Sequence, residues 1–213
     1  MCDFAIDSSS VRWSGDISNA CAVATIPQHY TGSLFQRRTT SVNGMETHKE
    51  PRTGPGKEML LAMLDNNRAI MVWKLEGLTR EEATRPVVAS GTSLLGMVKH
   101  LAFVERWWFD DFFAGSDVEY PWSEGDPDAD FRIEDDETID DIIALYTKAI
   151  ARSTEITTDA QMDDLSVRNR DDNRFALRWI VAHMIEETAR HAGHADIVRE
   201  LIDETTGYYP DQR

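Results

Sequence analysis

The chain has 213 residues, 41% of them apolar, and no apolar run approaches the ~18 residues that a membrane-spanning helix needs, so it is sized for one globular domain and an extension. Its formal net charge of −16 is uneven: residues 1–56 balance five basic against five acidic side chains, whereas 57–213 hold 17 against 33. A surface of that sign repels phosphate backbones and anionic headgroups, which argues against nucleic acid and membrane as partners. The two cysteines, Cys2 and Cys21, both precede the helical pattern, so neither a disulfide framework nor a thiolate ligand is on offer there. No charged stretch followed by an apolar one opens the sequence, and the expected location is cytoplasmic.

Residues 1–56 keep neither the helical nor the strand period and are rich in Ser, Thr, Gly and Pro. They are expected to form a disordered or loosely packed extension ahead of a domain over 57–213. Met45 is a candidate alternative start of translation. From Lys57 the pattern turns helical: Met59, Leu60, Met63, Leu64, Ile70, Met71 and Leu75 recur at helical spacing up to Gly77. A second helix is predicted over "SGTSLLGMVKHLAFVERWWFDDFFAG", with Thr92 or Ser93 as N-cap and Gly115 beyond its end. The acidic stretch "SDVEYPWSEGDPDADFRIEDDE" is too polar and Pro-broken for regular structure. A third helix follows in "TIDDIIALYTKAIARSTEIT", and a fourth runs from about Asn173 to Glu204, closed by Gly207 and Pro210. Four long amphipathic helices without a convincing strand predict an all-α four-helix bundle with one long acidic crossover loop.

The last helix holds an unusual concentration of ionisable groups, "HMIEETARHAGH". With His183 at zero on a helical wheel, Glu187 falls near 40°, His191 near 80° and His194 near 20°, a sector shared with Ile180, Met184, Ile197, Val198 and Leu201. Buried ionisable groups are costly unless they pair with one another or hold a metal. Glu187 and His191, four apart, converge on one point, and His100 on the second helix lies among Met97, Leu101, Val104 and Trp108. Together the three form a candidate site for a metal, with a position left open for water or substrate. The bland alternative is a satisfied core histidine beside an ordinary ion pair of Glu186 or Glu187 with Arg190.

The segments "SLLGMVKHLAFVERWWF" and "LRWIVAHMIEETARHAGHADIVRELID" resemble the DinB-like superfamily, in particular its mini-circle protein relatives and mycothiol-dependent enzymes. The resemblance covers roughly residues 57–207. It implies a four-helix bundle carrying a divalent metal, zinc or nickel, on His100, Glu187 and His191. Many members have histidine at the position of Glu187; the mycothiol-dependent maleylpyruvate isomerases resemble this chain in having glutamate. The implied activity is metal-dependent S-transfer or isomerisation with mycothiol as cosubstrate, so the partners would be a small-molecule thiol and an electrophile. In such chemistry His183 and His194 are the candidate catalytic residues, orienting a ligand or acting as general acid or base. The rival readings are a metal-dependent hydrolase and a non-catalytic metal- or ligand-binding stress protein, with homodimerisation through an apolar helix face.

Overall fold

The computed structural model describes residues 41–42, 45–46 and 51–207; Cys2, Cys21, most of the N-terminal extension and Pro210 lie outside them. Two short strands, β1 (Ser41–Val42) and β2 (Met45–Glu46), pair antiparallel with Val42 opposite Met45. They lie in a stretch whose sequence shows no strand period.

The domain is built from α1 (Gly56–Trp73), α2 (Arg80–Thr84), α3 (Leu94–Glu105), α4 (Ile139–Asp159) and α5 (Leu177–Asp203). The four long helices form the expected bundle, with α1 against α5 and α3 against α4. The short α2 was not expected; Thr79 and Glu82 start it by capping each other's backbone. Of the two candidate N-caps of the second long helix, Ser93 takes the role, its hydroxyl accepting from the Gly96 amide. Thr138 and Asp141 form a further capping box at the head of α4.

Two departures from the predicted elements bear on the site. The second long helix is not uniform: after Glu105 it widens into a π-helical stretch, Arg106–Phe113, in which Ala114 donates to the Phe109 carbonyl at 3.0 Å. Trp108, Phe109, Phe112 and Phe113 are buried there, and their spacing fits a π turn as well as an α turn, so periodicity does not separate the two. The last helix begins at Leu177 rather than near Asn173. Bridges Leu165–Ala176 and Arg170–Asn173 fold the preceding residues into a hairpin-like excursion, turned by Asp171 and Asp172 in the left-handed region.

One polar cluster crosses the bundle core. Arg68 of α1 donates twice to Glu105 of α3, at 2.7 Å each, and Ser153 of α4 donates to the same carboxylate at 2.7 Å. Three helices are thereby tied by groups that are almost wholly out of water. Each donor meets an acceptor, which is the condition for tolerating a buried charge pair.

Candidate metal centre

On α5 the buried residues are Leu177, Ile180, Val181, Met184, Thr188, Ala192, Ala195, Val198 and Arg199. With His183 again at zero, their centre lies at about 120°, a quarter turn from the centre expected from the sequence. That rotation corrects the wheel in both directions. Ile197 and Leu201, expected inside, are 61% and 58% exposed, while Ala192 and Arg199, which fall beyond the expected sector, are buried. The Arg199 guanidinium explains part of the shift: it donates to the carbonyls of Lys74 and Glu76 at the end of α1 and pairs with Asp203, so a charged side chain occupies an inward position.

The same rotation sets the burial of the ionisable groups. His191, nearest the centre, has a side chain 13% exposed; Glu187, further out, is 22% exposed; His194 is exposed. His100 reaches the same place from α3. Its Nε2 lies 3.7 Å from Glu187 Oε1, and Nε2 of His191 lies 3.2 Å from that oxygen. Donor atoms of His100, Glu187 and His191 all fall within 4.8 Å of one another, as the sequence reading requires. Among the described residues no other group of three or more His, Cys, Asp or Glu side chains is so placed. Glu186 turns away and pairs with Arg190 at 2.6 Å, so the ordinary ion pair and the inward carboxylate are adjacent residues with different fates.

The other two candidate residues stand one turn to either side. His183 stacks on Trp179, with ring planes 9° apart, and its edge meets Trp108 at 4.7 Å between centroids. His194 sits 6.0 Å from His191, ring to ring. Neither belongs to the converging group.

Sequence reasoning missed Asp130 and Phe131. The acidic loop, expected to lack regular structure, contains a single 3-10 turn at Ala129–Phe131. It carries the buried Asp130 to 2.7 Å from His100 Nδ1 and lays Phe131 parallel to the His100 ring at 4.0 Å. Fourteen acids between 110 and 141 hid the one that points inward.

These surroundings set the charges. The imidazoles of His100 and His191 hold the Glu187 carboxyl well below its usual range, outweighing burial. For His100, burial is the largest single influence and works downward, but Asp130 and Glu187 together raise it above the ordinary imidazole value. Burial lowers His183. A carboxylate clasped by two imidazoles is also a ligand set: donors about 2.1 Å from one cation lie about 3–3.5 Å apart, close to the 3.2 and 3.7 Å edges here. His191 Nδ1, the ring nitrogen that does not face Glu187, is buried with no hydrogen-bond partner among the described residues. Two nitrogens and one carboxylate oxygen fit a divalent transition-metal cation.

The family model for mycothiol S-transferase matches residues 59–204, a stretch that contains all three of these side chains. The chain belongs to the mycothiol S-transferase family. Membership implies a low-molecular-weight thiol as small-molecule partner. No curated protein matches the chain. Among the described residues of this family member, no helix is long and apolar enough to cross a membrane.

Proposed function

We propose that the protein is a metal-dependent S-transferase in which mycothiol is joined to an electrophilic small molecule at the site formed by His100, Glu187 and His191. The observation that carries this reading is the meeting of those three side chains, from two helices, in a chain of this family. A divalent cation bound there would lower the pKa of a thiol and favour its thiolate form.

The chain's own residues support that chemistry in distinct ways. Glu187 stays ionised across the physiological range and would offset part of a bound cation's charge, while an imidazole ligates only through an unprotonated nitrogen. The site lies on the rim of the buried arc of α5, so one side is packed and the other is open to a substrate. His183, whose basicity burial lowers, and the exposed His194 each stand about a turn from the three and are the candidates for orienting a ligand or for acid–base work. The helical domain carries no cysteine, which fits a cosubstrate that brings its own sulfur.

The test is conjugation of mycothiol to monochlorobimane by purified, metal-loaded protein, alongside elemental analysis. We expect close to one zinc or nickel per chain and thiol-dependent turnover that disappears in His100→Ala. Equal rates in both proteins would overturn the reading. A metal-dependent activity indifferent to thiol would replace it with hydrolysis, and tight metal binding without thiol affinity with a non-catalytic role.

A further inference from the structure

The crossover loop reaches the centre through Asp130, the one acidic residue between 116 and 137 that is buried. Its neighbours pair elsewhere: Asp126 and Glu134 with Arg132, and Glu137 with Lys99. Asp130 instead places Oδ2 2.7 Å from His100 Nδ1. Phe131 covers the same ring, with the two planes 16° apart.

Two features of α3 admit the loop so closely. A Cβ at Gly96, one turn before His100, would overlap the Phe131 carbonyl oxygen and lie 3.4 Å from its carbon, so only glycine leaves room for the backbone. Lys99, buried beside His100, donates to the Arg132 carbonyl at 2.8 Å and to Glu137 at 2.7 Å, which fastens the chain just beyond Phe131.

We propose that Asp130 is a positioning residue for His100, and that Gly96 is the position in α3 that lets the crossover loop deliver it. This rests on the reading that His100, Glu187 and His191 take a cation. A neutral imidazole carries one N–H, and a carboxylate only accepts. Asp130 therefore keeps that hydrogen on Nδ1 and leaves the Nε2 lone pair directed at Glu187 and His191, the tautomer a ligand needs. The Phe131 ring fixes the plane in which that lone pair lies. Orientation is thus settled before a cation arrives.

The substitution Asp130→Asn nearly preserves shape but supplies an amide that can donate to Nδ1, which moves the imidazole hydrogen to Nε2, the wrong atom. We expect zinc and cobalt to bind about 10–100-fold more weakly, measured by competition with a chelator. The visible spectrum of the cobalt-loaded protein should change, while the melting temperature of the metal-free protein moves by only a few degrees. Gly96→Ala, which replaces neither His100 nor Asp130, should weaken binding in the same direction. Its effect should shrink when Asp130 is already Asn, because both changes act through one contact. Nitrogen chemical shifts of His100 at alkaline pH, without metal, give a separate reading: Nδ1–H in the native chain and Nε2–H in the Asn variant. Native-like affinity in both single variants, or the same tautomer in native and Asn chains, would overturn the proposal. Failure of the native protein to bind any cation would remove the metal centre itself, and the tautomer comparison would still decide the role of Asp130.

Discussion

Two ionisable clusters sit five residues apart on the same helical stretch, around Glu105 and around His100, and they are built on opposite terms. At Glu105 both carboxylate oxygens are taken by Arg68, and one also by Ser153, in a place with no exposure. At His100 one carboxylate oxygen is shared between two imidazoles, the rim is partly open, and a buried nitrogen of His191 is left without a protein partner. The first cluster is complete as it stands and holds three helices in register. The second gathers two imidazoles and one carboxylate at a partly open rim. The difference teaches that burial of charge alone does not identify a candidate functional site; convergence of ligand-type groups where one side stays open is what sets the second cluster apart.

The largest effect that would test this contrast falls on binding. His100→Ala should abolish stoichiometric metal uptake and reduce thiol conjugation by more than the ~100-fold upper range of outer-shell changes. Losing His100 also leaves the buried Asp130 carboxylate without its partner, so the metal-free unfolding free energy, read from urea titration, should fall by about 1–3 kcal/mol. Glu105→Ala should leave metal uptake in place and cost more stability. Arg68 would keep only the partly exposed Asp65 as partner, so the loss of its buried one should cost up to about 3–5 kcal/mol in the same titration, whether or not metal is present. A native-like urea midpoint for Glu105→Ala would break the comparison.

Acidity gives a smaller signal. In the metal-free protein, the depressed Glu187 carboxyl contributes stability that is present above its unfolded value of 4.5 and lost as pH falls below it. The raised His100 imidazole contributes stability that is present below its unfolded value of 6.5 and lost as pH rises through the folded one. The pair therefore stabilises most between about pH 4.5 and 6.5, and thermal melts of metal-stripped protein should show that maximum flatten in Glu187→Gln. Metal affinity should run the other way and rise with pH, because His100 must lose its Nε2 proton to ligate. An identical melting profile in Glu187→Gln would show that the carboxylate and imidazoles are uncoupled.

The smallest expected effect separates two adjacent acids. Glu186 pairs with Arg190 at the surface, so Glu186→Gln should change stability by about 0.5 kcal/mol or less and leave metal affinity unchanged. Glu187→Gln should reduce metal affinity at least tenfold. Equal effects on affinity from the two would remove the special place of Glu187.

The sequence by itself determined the four long helices and the shared face of Glu187 and His191. Apolar spacing marks helices, and two side chains four apart must share a face whatever surrounds them. Chain-local patterns also contain the capping pair Thr79–Glu82 that opens α2, although it is short enough to escape a search for periodicity. Only tertiary structure decided how far the buried arc of α5 is turned, since Arg199 lies inward because the end of α1 supplies carbonyls to receive it. It likewise decided which of the loop's many acids meets His100. That choice depends on Gly96 leaving space and Lys99 holding the following backbone, contacts between segments more than thirty residues apart that no local period encodes.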